Sequence, residues 1–485
     1  MTTPIETHPT PGDGLFPAPP PERGIFCNRT LNLRSIRAIG YDMDYTLIHY
    51  HVEEWERRAY EHTRAKLAAR GWPVEGLEFD HTQVIRGLTI DLEHGNLVKP
   101  NRFGYIISGT HGTQVLPYDA MRKVYSGTVV DLRDDRFVFL NTLFSYSEAW
   151  LYSQLVDLLD EGKIPEVLGY PELYEVVRSS LDAAHMEGQL KAEIIAEPER
   201  FVDLDEESPL ALLDQKRAGR KLLLITNSEW EFTRSMMTYA FDRFLPERMT
   251  WRDLFDTVIV SARKPDFFEG RNALMEVVDE ERGLLQPARS LAQGGVFFGG
   301  NAALVETHLG LSGDEILYVG DHLFGDVHVS KSQLRWRTAL ILREMEQDVR
   351  DLSAFDEAQE ELSRMMVEKV ERERELSQLR LLAQRRRIDY GPQPAVEGDP
   401  DELVTAARDA LVALDEKISP LARKAGKLGN ARWGSLMRAG SDKSLFARQV
   451  ERYADVYMSR VSNFLYQTPF GYLRANRPSL PHDPL

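Results

Sequence analysis

Short, unbroken apolar runs alternate along this chain with longer stretches in which apolar residues return every three or four positions. Five runs read as strands: "RAIGYD", "KLLLITNS", "DTVIVSARKP", "DEILYVGDH" and "RTALIL". Continuous rather than alternating apolarity marks strands covered on both faces, the habit of parallel sheets. Helical patterns between the runs make the class α/β, with a Rossmann-like parallel core.

The spacing of the runs is uneven. About 180 residues separate the first from the second, a domain's worth of chain rather than a loop. Ahead of the first run, "TPGDGLFPAPPPERG" reads as a disordered leader. From Phe355 onward the chain turns helical and charged. Its apolar positions suggest no steady heptad, so packed helices are expected there rather than a long coiled coil. The predicted organisation is a leader over 1–24, a core over 25–50 and 206–350, an inserted domain over 51–205, and a mostly helical region over 351–485. That last region is expected to pack on the core and to offer an oligomer contact.

Composition narrows the function. At 485 residues and 42% hydrophobic, the chain can bury a large core. A net charge of −17 argues against a nucleic-acid backbone as the main partner. A single cysteine, Cys27, excludes internal disulfides and fits a reducing compartment, so a cytoplasmic location is expected. No apolar window is long enough for a membrane span, and no basic segment followed by an apolar run opens the chain.

In an open parallel sheet, ligands gather at the carboxyl ends of the strands. Here those ends carry Asp42 and Asp44, then Thr226, Asn227 and Ser228, then Lys264, then Asp321 and Asp326. Each piece alone has a bland reading, as a capped turn, a helix N-cap or a solvent-facing lysine. Together they form a hard-oxygen site that suits Mg²⁺ and a phosphate. A carboxylate there can attack phosphorus, and the second one can pass a proton to the leaving alcohol and take one from water. Thr226 and Lys264 would bind the equatorial oxygens, with Asn227 and Ser228 beside them as substrate contacts. "HYH" at His49–His51 and "THGT" around His111 have no accompanying ligand cluster and read as structural.

The motifs "DMDYT", "ITNS", "ARKP" and "GDHLFGD" resemble those of the haloacid dehalogenase superfamily. The resemblance implies Asp42 as nucleophile and Asp44 as general acid/base. It implies Mg²⁺ held by the Asp42 side chain, the Asp44 main-chain carbonyl and Asp321, with Asp326 supporting that shell. Longer segments, among them "RGLTIDLEHGNLVK", "ITNSEWEFT" and "WGSLMRAGSDKSLFARQVERYADVY", are similar to the cytosolic purine 5′-nucleotidase family from about Asn28 to Pro481. That likeness implies Mg²⁺-dependent hydrolysis of purine nucleoside monophosphates of the IMP/GMP type, phosphate transfer to other nucleosides, and a homodimer or homotetramer. It places Phe144 against the base and Arg178, Asp182, His185 and Lys191 along the nucleotide.

The chain departs from the animal enzymes at Ser145 and Met186, next to the base, and at Asp131 and Ser332, where their activator site is basic. Weak or absent activation by ATP is therefore expected. The competing readings are a phosphatase of the same superfamily acting on another metabolite, and a non-catalytic phospho-acceptor or scaffold.

Overall fold

The computed structural model describes residues 18–186 and 188–476. The chain forms two compact units: one runs to Glu346 and resumes at Leu436, and the other is Gln347–Ser435.

The first unit is built on a ten-stranded sheet. Seven of its strands are parallel: β1 (Ala38–Tyr41), β2 (Lys221–Ile225), β3 (Thr257–Val260), β4 (Val296–Gly299), β5 (Ile316–Gly320), β6 (Arg337–Ile341) and β7 (Val456–Met458). They lie in the order β7-β6-β5-β1-β2-β3-β4. All five apolar runs fall in this set, and β1 and β5 are buried at every position. Ile25–Cys27 closes one edge antiparallel to β7, and the hairpin of Leu274–Asp279 and Leu284–Ala288 closes the other beside β4.

β1 sits in the middle, with β2 and β5 on its flanks. The strands that end in Asp42, Thr226 and Asp321 are thus adjacent, and β3, which leads to Lys264, is one place further. Glycine permits the closeness. A Cβ on Gly40 would lie 2.9 Å from the ring of Tyr318, and one on Gly320 would lie 2.5 Å from Oδ2 of Asp326.

The stretch between β1 and β2 carries its own five-stranded antiparallel sheet within residues 89–139. Beside it lie the helices α1 (Val52–Ala69), α2 (Tyr146–Asp160) and α3 (Tyr170–Met186), which pack on one another. The chain enters and leaves this stretch through one short antiparallel ribbon, His49–Tyr50 against Val202–Asp203. Past the return to the core, α4 (Trp230–Phe241) follows β2. No helix among the described residues is long and apolar enough to cross a membrane.

Residues 351–476 do not form one helical region. Residues 436–476 belong with the first unit, where β7 supplies a parallel strand and Tyr472–Leu473 pairs with Leu31–Asn32. β7 is only three residues long with one half-exposed tyrosine, too short to stand out as an apolar run.

The second unit is a hairpin of α5 (Asp356–Arg387) and α6 (Pro400–Ala425). Here the expectation of no heptad is corrected. From Ala358 to Leu379 the less exposed positions of α5 are Ala358, Leu362, Met365, Lys369, Arg372, Leu376 and Leu379, alternately four and three apart, and Leu382, Ala383 and Arg385 follow them. On α6 the same spacing runs through Ala407, Leu411, Leu414, Ile418, Leu421 and Ala425, with Pro400, Leu403, Val404 and Ala410 also shielded. This is a coiled-coil seam. Lys369 and Arg372 occupy it at mid-length, Lys369 Nζ reaching Asp415 at 2.6 Å and Arg372 pairing with Glu368 at 2.7 Å. Two cations in the seam hide the repeat from an apolar reading.

Candidate active site

At the carboxyl edge of the sheet the charged strand ends meet. Lys264 Nζ lies 2.7 Å from Oδ1 of Asp42 and 2.8 Å from Oδ1 of Asp326, with its side chain only 4% exposed. Its third partner is the hydroxyl of Tyr318, at 3.1 Å, which in turn donates to the carbonyl of Ile225 at 3.1 Å. Asp42 also accepts the Met43 N–H at 2.8 Å, and Asp326 accepts the His322 N–H at 3.1 Å. Asp321 completes the group: carboxylate oxygens of Asp42, Asp321 and Asp326 all lie within 4.8 Å of one another, and all three residues are buried.

Three buried carboxylates against one ammonium leave negative charge uncompensated. Burial, only partly offset by Lys264, pushes the Asp42 carboxyl up to about 7. Burial pushes Asp321 well above the usual carboxylate range, and its Oδ2 has no hydrogen-bond partner. For Lys264, burial acts to lower the pKa, but Asp326 and Asp42 hold it well above the ordinary lysine value. A hard divalent cation such as Mg²⁺ fits this donor set. It takes carboxylate oxygens, and it would supply the charge and the ligand contact that Asp321 lacks.

Asp44 stands on the other side of the turn. It accepts the Tyr50 hydroxyl at 2.6 Å and the Ser228 hydroxyl at 2.7 Å. Thr226 is fully buried, and its hydroxyl accepts the Ser228 N–H at 3.0 Å. The Asn227 side chain is spent on the lysine loop. It accepts the Lys264 N–H at 2.7 Å and donates to the Lys264 carbonyl at 3.1 Å. The loops after β2 and β3 are thereby stitched together, which carries Lys264 to Asp42.

Beyond Asp44 lies a cluster of rings. Phe144 is 4.7 Å from Tyr45 and 5.4 Å from Trp55, and Trp55 is 4.4 Å from Tyr50 and 6.4 Å from Phe232. Lys191 Nζ sits 5.2 Å over Phe232 and bonds Glu229 at 2.7 Å. Arg178 and Asp182 pair with each other at 3.5 Å, and Arg178 bonds the buried Glu148 of α2 at 3.0 Å. Among the described residues, no hydrogen bond, ion pair or ring contact joins Arg178 or Asp182 to the carboxylates of the sheet edge. The side chain of His185, on α3, lies outside the described residues.

Several participants escaped the sequence reading. Tyr318 is part of an apolar run and reads as core, yet its hydroxyl fixes Lys264. Arg86 is almost fully buried. It donates to the Asp321 carbonyl at 3.0 Å and to Glu344 at 3.1 Å, holding the Asp321 loop from the inserted stretch. Nothing in the sequence tells that this arginine is buried. Of the two departures expected at a basic activator site, Asp131 is paired with its neighbour Arg133.

Comparison with known proteins completes the picture. A 5′-nucleotidase domain-containing protein of Dictyostelium discoideum is 26% identical over 471 residues, spanning 95% of this chain and 74% of that one. Among solved structures, a beta-phosphoglucomutase from Pyrococcus is 12% identical with a TM-score of 0.29, covering 63% of this chain and 86% of its own. A haloacid dehalogenase-like hydrolase from Xanthomonas campestris is 13% identical with a TM-score of 0.25, covering 63% and 82%. The model of the 5′ nucleotidase family matches residues 25–485. The chain belongs to the 5′ nucleotidase family and is a phosphomonoesterase.

Proposed function

We propose that this protein hydrolyses purine nucleoside 5′-monophosphates of the IMP/GMP type, with Mg²⁺, through an aspartyl-phosphate on Asp42, and can pass the phosphate to a second nucleoside. Residues 51–205 serve as the cap over the phosphate site, and the enzyme acts in the cytoplasm as a homo-oligomer. The observation that carries the reading is the Asp42–Lys264–Asp326 cluster with Asp321 beside it, next to an aromatic cluster that begins at Asp44's own partner, Tyr50.

In this reading an Asp42 oxygen attacks phosphorus as the bond to the ester oxygen breaks, and that oxygen leaves with a proton from Asp44. Water then attacks the aspartyl-phosphate and gives its proton to Asp44, which frees phosphate and restores both carboxyl groups. Lys264 and Thr226 face the phosphoryl oxygens, where charge accumulates. Mg²⁺ would be held by Asp42, Asp321 and the Asp44 carbonyl, with Asp326 in support, and when bound it supplies charge neutralisation and polarisation of a phosphoryl oxygen. Phe144 offers the purine a face to stack on, and Lys191 adds a cation nearby.

The test is phosphate release from IMP, GMP, AMP, CMP and UMP, with and without Mg²⁺. IMP and GMP should lead, activity should vanish with chelator, and Asp42→Asn should be inactive while still folded. Preference for a phosphorylated sugar or other metabolite would move the substrate elsewhere within the superfamily. Turnover by Asp42→Asn would remove the nucleophile assignment.

A further inference from the structure

We propose that Tyr50 is a positioning residue: its hydroxyl fixes the carboxyl of Asp44 for proton transfer and ties that carboxyl to the inserted stretch. The proposal rests on the phosphohydrolase reading above, but not on the identity of the nucleotide.

A carboxyl on a short side chain can rotate about its Cβ–Cγ bond, and a proton donor that rotates is rarely aimed at the leaving oxygen. Asp44 is pinned at both ends, by the Tyr50 hydroxyl on Oδ1 at 2.6 Å and by the Ser228 hydroxyl on Oδ2 at 2.7 Å. Each donor takes one lone pair, and each oxygen keeps another on which to carry the travelling proton. Bonds this short to a carboxylate are the strong, charge-assisted kind.

The two donors differ in where they come from. Ser228 sits on the loop after β2, in the core. Tyr50 sits on the ribbon through which the chain enters the inserted stretch, paired with Val202 on the way out. The His51 N–H also reaches across this ribbon, to the Phe201 carbonyl at 2.8 Å. On its other side the Tyr50 ring lies against Trp55, the first aromatic of α1, which touches Phe144. A shift of the inserted stretch or of Phe144 therefore reaches Asp44 through two ring contacts and one hydrogen bond. Packing alone would call for the ring of Tyr50. Only the positioning role calls for its hydroxyl.

Tyr50→Phe separates the two, because it keeps the ring and deletes the oxygen. The experiment measures kcat/KM and KM for wild type and Tyr50→Phe on a series of phosphate monoesters, from 4-nitrophenyl phosphate to alkyl phosphates. A nitrophenolate leaves without help from an acid, whereas an alkoxide needs a proton. We expect kcat/KM on alkyl esters to fall roughly 10- to 100-fold and that on 4-nitrophenyl phosphate to fall less than about 3-fold, with KM little moved. An equal loss across the series, or no loss, overturns the proposal. Wild type that cleaves aryl and alkyl phosphates but no nucleotide refutes the nucleotide reading and leaves this comparison decisive. Inactive wild type overturns both. Should Tyr50→Phe fail to fold, difluorotyrosine placed at position 50 keeps the shape while changing the strength of the donor. An unchanged leaving-group dependence in that protein likewise overturns the proposal.

Discussion

Lys264 is the cation on which two buried carboxylates depend, at 2.7 and 2.8 Å. Replacing it by methionine keeps most of the volume but leaves Asp42 and Asp326 without their counter-charge. Breaking a buried pair from one side costs about 3–5 kcal/mol, more than the pair itself contributes. Lys264→Met should therefore lower the melting temperature clearly in chelator, and Mg²⁺ should restore part of that loss by supplying charge to the same carboxylates. Turnover should drop at least about 100-fold, because in the proposed mechanism the lysine also faces the charge that develops on phosphorus. A melting temperature equal to that of wild type in chelator would show that the three carboxylates do not strain the fold. That Asp42, Lys264, Asp321 and Asp326 come together was legible because each stands at or just past the end of an apolar run, and strand ends in a parallel sheet share one edge. Tyr318, Arg86 and Tyr50 were not. Their chemistry depends on which neighbours the sheet order brings, and a tyrosine in a buried strand looks the same whether or not its hydroxyl touches a lysine.

The five apolar runs were equally legible as strands, since burial on both faces leaves a mark that needs no partner to interpret. β4 and β7 were missed: β4 is set between glycine pairs and β7 has three residues, and each gains its place from a neighbour far away in sequence. The α5–α6 hairpin was misread for another reason, the charged Lys369 and Arg372 at positions of its seam. Magnitudes say which contacts hold that hairpin. Lys369–Asp415 is a half-exposed ion pair, worth under about 1 kcal/mol. Leu414 is 6% exposed and packs with Leu362 and Ile418 in the seam, where truncation to alanine costs about 2–5 kcal/mol. Leu414→Ala should thus lower helical content and advance proteolysis within Gln347–Ser435, while Lys369→Ala should leave both nearly unchanged. Circular dichroism and limited proteolysis would read the difference, and equal effects would contradict the seam.

Distant parts of the first unit are joined by charge as well as by the sheet. Glu346, just past β6, accepts from Arg460 Nη2 at 2.8 Å and pairs with Arg343, and Arg343 bonds Asp203, at the exit of the inserted stretch, at 2.7 Å. One cluster thereby links the residues after β6, the residues after β7, and the ribbon that carries Tyr50. Burial would raise the Glu346 pKa, but the Arg460 hydrogen bonds and the Arg343 and Arg460 charges outweigh it and bring the carboxyl to about 2. The folded pKa lies below the unfolded value of about 4.5, so the unfolded chain binds the proton more readily. The stabilisation is therefore fully present above about pH 4.5 and is lost as pH falls toward 2. Glu346→Gln cannot take part in this titration. It should lower stability at neutral pH, and its loss of stability between pH 5 and 3 should be shallower than that of wild type. Melting temperatures across that range, in chelator so that metal release does not contribute, would give the two slopes. Because Asp203 and Tyr50 stand on the two strands of one ribbon, acid that loosens Glu346 should also loosen the approach to Asp44. Parallel slopes for the two proteins would mean that other carboxylates, and not this junction, set the acid limit of the fold.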